Sequence, residues 1–454
     1  MKLKNLKIHI IGIGGISMSA IARLLLHYNN TITGSDIHES NITRELEKLG
    51  VKIYYGHSRE NILQYDLVIK SAAISDDNIE IIEAKNRCIK VISRAEALGI
   101  ITNDYNNVIA VSCSHFKTTT TGMIAEFFLN AGYNPTIHIG GELISIKGNI
   151  YIGSNDYFIT EACEYMDSFL HLTQDCAIAL NVQPDHMDYF KNFGNLQKSF
   201  KKYIKNTKQN GLIVLNGDDE TLKNIVSAKQ KTIYYSTKNQ NANIYAKNIR
   251  KNIHNNYSFD IIYNGYKYER IKLSIPGLHE VCNALACISV CLHYSIDIKV
   301  IKKSLENYSG IKRRFEYIGR INGAKVIHDY AHHPTEIRAV IDTVKNKKGR
   351  VIVVFQPHTY SRTKELWLDF IDALALGDVV YLYKIYPARE NPIRGVTSKK
   401  LSEEINKINN NSYYYEDFNL LHLRLKEVAR EDDVILVLGA GDIVEFCEKI
   451  QMNI

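Results

Sequence analysis

The sequence has no Cys-x-x-Cys pair, no apolar run long enough to span a bilayer, no tandem repeat and no low-complexity linker. Its eight cysteines are scattered, which favours small buried thiols in a reducing compartment over a disulfide framework. The longest apolar stretch, HIIGIGGISMSAIARLLL from His9, is interrupted by glycines and fits a strand–turn–helix better than a membrane segment. MKLKNLK leads straight into a strand-like run with no cleavage site, so no signal peptide is expected and the cytoplasm is the default location. Charge of one sign is also scarce, because the net +7 over 454 residues is modest. Apart from Lys312-Arg313-Arg314 and the lysine-rich stretch 198–208, the basic residues are spread out. Neither nucleic acid nor membrane is therefore expected as a partner, whereas small anions such as nucleotides fit.

What is present is a hydrophobic fraction of 45%, enough for ordinary globular cores, and a length that predicts two to four domains. Residues 1–100 alternate strand-like and helix-like segments: KIHIIGI, a helix over 16–28, TITGSD, ESNITRELEKLG, VKIYYG, DLVIKSAA and KVISRAEAL. That alternation predicts a parallel sheet of Rossmann type. A second start comes at NNVIAVS, followed by a polar turn and a helix over 118–132. Alternating patterns over 232–275 predict an antiparallel insertion, and PGLHEVCNALACISVCLHY a long apolar helix. A third unit begins near 311, with strands at KVIHDY, GRVIVVFQP, DVVYLY and DVILVLGAG; KINNNSYYY (407–415) reads as a loop. The expected fold is α/β in three domains. These are a Rossmann-like domain over 1–100, a central P-loop-type, ATPase-like domain with a mixed sheet over 101–310, and a Rossmann-like domain over 311–454.

Four groups of strings carry candidate chemistry. GIGGIS (12–17) follows a strand and opens a helix, where glycines permit a tight turn and bring a phosphate to the helix N-terminus. Asp36 ends the next strand, where a dinucleotide fold places an acid on a ribose hydroxyl. Ser17 replaces the last glycine of that fingerprint, which weakens an NAD reading; a glycine turn needed only for packing is the alternative. SCSHFKTTTTG (112–122) has the setting of a phosphate loop, with Lys117 for terminal phosphates and Thr118 for a metal. Cys113 and Phe116 stand where glycines are wanted for positive φ, and a bulky residue held there costs ~1–2 kcal/mol. The alternative is a threonine-capped helix. TEACEYMDSFL and ALNVQPDHMDYF place carboxylates and a histidine after apolar strands, as a magnesium–nucleotide site requires. In the last unit, KRRFE, HDYAHHPTE and FQPHTYSRT gather histidine, arginine, aspartate and tyrosine after strands. That mixture suits carboxylate binding and a transition state gaining negative charge.

Taken together and in order, these strings resemble the Mur ligases over essentially the whole chain. DYAHHPTE with FQPHTYSRT is most similar to the branch that adds alanine. The resemblance implies an ATP-dependent, amide-forming ligase acting on UDP-N-acetylmuramate and L-alanine through an acyl phosphate, with Mg²⁺, in cytoplasmic peptidoglycan precursor synthesis, as a monomer or homodimer. It implies that Gly12, Gly14, Gly15 and Ser17 contact the UDP part. Cys113, Ser114, His115, Phe116, Lys117, Thr118 and Thr119 would line the ATP loop. Thr118, Glu161 and His186 would hold the metal. Asn283 would sit near adenine, and Arg314 and Asp329 would touch the nucleotide. Tyr330, His332, His358 and Arg362 would lie near the alanine and the reacting carbonyl. Lys117, Glu161, His186, His332, His358 and Arg362 would be catalytic.

The chain departs from the family pattern on the ATP side. Besides Cys113 and Phe116, Glu280 stands in place of an asparagine and Leu278 in place of an arginine. A carboxylate near a triphosphate opposes binding. A paralogue that binds the sugar nucleotide or a partner without turnover is thus the alternative, and a tripeptide-recycling ligase on the same sugar nucleotide a second.

Overall fold

The computed structural model describes residues 2–225, 229–253, 255–345 and 348–452. The first sheet contains β1 (Lys7–Ile11), β2 (Thr31–Asp36), β3 (Lys52–Tyr55), β4 (Leu67–Lys70) and β5 (Val91–Ser93). Its order is β3-β2-β1-β4-β5, with every pair parallel. The winding reverses between β1 and β4, so the loop after β1 opens at the switch point where such sheets bind ligands. Gly34 on β2 is a packing glycine, because a Cβ there would lie 2.6 Å from Ile13 Cδ1.

The second sheet holds β6 (Asn107–Ser112), β7 (Thr136–Leu143), β8 (Gly148–Tyr151), β9 (Tyr157–Glu161), β10 (Cys176–Ala179), β11 (Leu212–Asn216), β12 (Lys231–Ser236), β13 (Ile244–Lys251), β14 (Asn256–Tyr263) and β15 (Tyr266–Pro276). Its order is β15-β14-β13-β12-β11-β10-β6-β9-β7-β8. Strands β13 through β7 in that order pair in parallel wherever their register is defined, and β8 is antiparallel to β7. The antiparallel region expected over 232–275 is narrower than its alternation implied. TIYYST joins β11 in parallel, because the helix Glu220–Ile225 serves as a crossover, and β14–β15 forms the antiparallel hairpin.

The third sheet holds β16 (Glu316–Ile321), β17 (Ala324–Asp329), β18 (Val351–Phe355), β19 (Val379–Tyr383), β20 (Ser412–Tyr415) and β21 (Val434–Leu438), in the order β16-β17-β21-β18-β19-β20. β16 is antiparallel to its neighbour, and the remaining pairs are parallel. Central β18 is buried on both faces, as period-two geometry requires under two helical layers. Val351, Val353 and Phe355 pack with Ile337, Ile341 and Phe370. Ile352 and Val354 pack with Leu421 and Phe446. KINNNSYYY is not a loop. Lys407–Asn409 end the helix Ser398–Asn409, Asn410 caps it at φ 47°, and SYYY is β20. Asparagine tolerates the left-handed region, and the Asn406 amide holds Ser412 through both its carbonyl (2.8 Å) and its N–H (2.7 Å).

The three-sheet α/β architecture agrees with the pattern expected from the sequence. The chain packs as two compact units. One comprises Met1–Pro184, Tyr189–Tyr245 and Ala284–Ser304; the other comprises Asp185–Asp188, Ala246–Asn283 and Leu305–Ile454. None of the eight cysteines forms a disulfide, and five of them are buried. Among the described residues no helix is long and apolar enough to cross a membrane.

Candidate functional site

In the first unit, the loop after β1 is held by Asp36, whose Oδ2 accepts the Gly14 N–H (2.8 Å) and whose Oδ1 accepts that of Ile37 (2.8 Å). Asp36 therefore braces the turn, which accounts for an acid there without a ribose. Gly12 turns the chain at φ 77°. A Cβ at Gly14 would sit 2.8 Å from Asp36 Oδ2, so the brace needs glycine. Gly15 is the N-cap of the helix Ile16–His27, with no side chain capping its first turn. Free N–H groups at a helix start suit an anion. The Ser17 hydroxyl lies 3.2 Å from Arg94 Nη1 and 3.0 Å from His138 Nε2. Arg94 can only donate, so Ser17 donates to His138. His138 Nδ1 lies 3.0 Å from Thr160 Oγ1, which donates to the Glu161 carbonyl (3.1 Å). Burial, and then Arg94, push the His138 pKa down to about 3, so it is a neutral link in this chain.

The second loop of this unit joins β6 to the helix Lys117–Asn130. Asn181 beside β10 accepts the His115 N–H (2.9 Å) and donates to the His115 carbonyl (3.1 Å), while Ser114 Oγ donates to the Gln183 carbonyl (3.0 Å). Of the two positions where glycine was expected for positive φ, only Phe116 adopts it, at φ 76°. Cys113 has no positive φ. It is buried and its thiol donates to the His115 carbonyl at 2.8 Å, so a small side chain suffices there. The Lys117 ammonium folds back over its own loop. It donates to the Cys113 carbonyl, and it meets Glu164 Oε1 at 2.9 Å and Oε2 at 2.8 Å. Burial works against that ammonium. Glu164 first, and Cys113 and Cys163 after it, outweigh burial and hold it protonated well above its ordinary range. Thr118 and Thr119 are buried in the first turn. Glu161, at the end of β9, accepts the Gly140 N–H at 2.6 Å.

The second unit collects the remaining candidates. Asp185 is buried. It accepts from Arg362 Nη2 (3.1 Å) and Nε (3.3 Å), and from the His186 backbone N–H (2.8 Å). Burial would raise its pKa, but Arg362 and then His186, His332 and His333 hold it well below the usual carboxylate range. His186 takes φ 56°. Arg362 Nη1 donates to His358 Nδ1 (3.4 Å), which leaves the His358 proton on Nε2. His332 is the opposite case. Its Nδ1 faces the Tyr330 carbonyl at 3.0 Å, an acceptor only, so Nδ1 carries the proton and Nε2 the lone pair. The two rings lie 6.0 Å apart. Burial first lowers both pKa values, to about 3 for His332 and about 4 for His358, where Arg362 adds to it. Both imidazoles are therefore neutral at pH 7. Asp329 accepts the N–H groups of Phe315 (2.8 Å) and Ala331 (2.7 Å), and burial raises its pKa against the pull of Arg314. Arg313 and Arg314 both lie over the Tyr330 ring, at 4.8 and 5.1 Å. Asn283 donates to Glu280 (3.0 Å), which also meets His279 at 3.2 Å. The carboxylate at 280 is thus satisfied within the protein, while Leu278 is exposed.

The structure brings Lys117 and Thr118 together at one helix start, and His332, His358 and Arg362 around one carboxylate. Of the residues expected to hold a metal, Thr118 and Glu161 belong to the first unit and His186 to the second. Among the described residues no three His, Cys, Asp or Glu side chains are grouped as for a metal ion. Sequence reasoning overlooked Asp185 and Glu164, although both lie inside strings it had singled out. The available signal was an acid a few residues past the end of an apolar strand, which needs a partner if buried.

Residues 7–106 match the profile described as Mur ligase family, catalytic domain; 111–291 match the Mur ligase middle domain, and 313–441 the Mur ligase, glutamate ligase domain. The chain belongs to the Mur ligase family. Within it, the chain is similar to the UDP-N-acetylmuramate–L-alanine ligase of Caldicellulosiruptor saccharolyticus, at 43% identity over 98% of each chain. It is also similar to the enzyme of that name from Caldanaerobacter subterraneus, at 42% identity over 98% of this chain and 96% of the other. Among solved structures, the UDP-N-acetylmuramate-alanine ligase MurC of Thermotoga maritima superposes with a TM-score of 0.82, at 29% identity over 99% of each chain.

Proposed function

We propose that the chain is an ATP-dependent ligase of the cytoplasm that joins L-alanine to the carboxylate of UDP-N-acetylmuramate in peptidoglycan precursor synthesis. The full-length similarity to enzymes of that name carries this reading. The loop after β1 offers unpaired helix N–H groups and Ser17 to the diphosphate of the sugar nucleotide. Lys117, with the first-turn N–H groups of the helix Lys117–Asn130, takes the phosphates of ATP. The oxygens of Thr118 and Glu161 are hard donors that suit Mg²⁺; the bound ion would offset charge on the phosphoryl group in transfer. The muramate carboxylate attacks the γ-phosphorus, giving an acyl phosphate and ADP. The amine of alanine then attacks the acyl carbon and phosphate leaves. Arg362 takes the alanine carboxylate. The His332 Nε2 lone pair accepts a hydrogen bond from the alanine nitrogen, and the His358 Nε2–H faces the developing oxyanion. Neutral imidazoles suit both tasks, because a charged His332 would repel an ammonium.

Phosphate release with ATP, Mg²⁺, UDP-N-acetylmuramate and L-alanine tests this reading. Turnover that needs all three substrates supports it, and folded protein that releases no phosphate overturns it. A second reading, a homologue that binds the sugar nucleotide without turnover, is favoured by the left-handed Phe116. It fails if ATP binds at micromolar concentration.

A further inference from the structure

Lys117 is the cation that the proposed function assigns to the ATP phosphates, yet in the protein alone it is already satisfied. Its ammonium has three N–H donors. Two carboxylate oxygens of Glu164, at 2.8 and 2.9 Å, and the Cys113 carbonyl receive them, with the Ser114 carbonyl further off at 3.4 Å. The Glu164 side chain is 1% exposed and that of Lys117 16%. Glu164 is placed independently of the lysine, because it precedes the turn Tyr165–His171 and its own carbonyl accepts the Asp167 N–H at 3.0 Å. The pair is thus a buried, charge-assisted contact, of the kind costly to leave half made. It lies within one compact unit.

We propose that Glu164 is a positioning residue that holds Lys117 down over its own loop until a phosphate chain of sufficient charge displaces it. The inference rests on the reading of this loop as the ATP phosphate site. While Glu164 holds the lysine, the loop carries no net positive charge to attract a small anion. A phosphate chain draws the ammonium outward only if its several charges outbid one carboxylate, and Glu164 then faces those charges at a cost. Glu164 therefore sets both the affinity for nucleotide and the discrimination against inorganic phosphate. The strand-end acid Glu161 lies three residues earlier in the chain and is held separately by the Gly140 N–H, so the two acids have different tasks.

Calorimetry on the full chain with Mg²⁺ and either ADP or inorganic phosphate tests this in wild type, Lys117→Met, Glu164→Gln, Glu164→Asp and the double variant Lys117→Met/Glu164→Gln. Lys117→Met should weaken ADP binding at least tenfold. Glu164→Gln should tighten it about tenfold or more and raise phosphate affinity from undetectable to measurable. Glu164→Asp, which keeps the charge, should stay within about threefold of wild type. In the double variant Glu164→Gln should tighten ADP binding less than it does alone, because the part that acts through Lys117 is gone. If Lys117→Met weakens ADP but Glu164→Gln leaves it unchanged or weaker, the positioning role is refuted and the loop reading stands. If Lys117→Met leaves ADP binding unchanged, the loop reading fails and the proposal falls with it.

Discussion

Phe116 holds a backbone conformation that its side chain disfavours, and replacing it by alanine and by glycine in parallel turns that into a number. Phe116 is the N-cap of the helix Lys117–Asn130 at φ 76°, ψ 16°, and its carbonyl accepts the Thr120 N–H at 3.2 Å. A left-handed non-glycine residue costs ~1–2 kcal/mol. Glycine escapes that cost but loses roughly 0.5–1 kcal/mol through the greater freedom of the unfolded chain. Phe116→Ala removes the ring and keeps the Cβ, whereas Phe116→Gly removes both, so ring packing cancels in the comparison. The glycine variant should be more stable than the alanine variant by about 0.5–1 kcal/mol, or roughly 1–4 °C in the melting of a unit this size. Urea and thermal unfolding of the two variants side by side is the assay. At an ordinary extended or helical position the order reverses, since alanine then wins by roughly 0.5–1 kcal/mol. An alanine variant that is the more stable therefore refutes the left-handed assignment. If the strain also obstructs the loop, the glycine variant binds ATP more tightly than wild type; equal affinity would mean that the loop accommodates nucleotide without moving Phe116.

Three further outcomes follow from the same structure. Glu80 is fully buried. Burial raises its pKa, yet the His9 ring 3.7 Å away and hydrogen bonds from Ser35, Asn61 and His57 bring it down to about 2 from an ordinary 4.5. Because the folded value is depressed, this stabilisation is complete above pH 4.5 and is lost as pH falls toward 2. It is worth roughly 3 kcal/mol, and Glu80→Gln should flatten acid unfolding in that window. Gly34→Ala would place a Cβ 2.6 Å from Ile13 Cδ1 and 2.8 Å from the Ile10 carbonyl. It should cost about 1–3 kcal/mol in thermal unfolding, and unchanged stability would contradict the close approach of the β1 loop to β2. Arg362→Lys loses the guanidinium fork that reaches both Asp185 and His358, so KM for alanine should rise about tenfold or more. An unchanged KM would remove Arg362 from the alanine site.

Much of this protein was legible from residue order alone. Strand–helix alternation identified the α/β class, because the two periodicities leave different apolar stripes. Glycine and lysine loops after strands marked the proposed phosphate sites, since a turn of that kind is local. The tyrosine-rich segment 412–415 was misread for the same reason: asparagines look like a loop, and only pairing with β19 makes a strand of it. Residue order could not reveal which charges meet. Glu164 on Lys117, Asp185 on Arg362 and the opposite tautomers of His332 and His358 depend on contacts 47, 177 and 2 to 4 residues apart. Folding alone brings the distant groups within hydrogen-bonding range, and burial makes the cost of leaving them unpaired large enough to choose among arrangements.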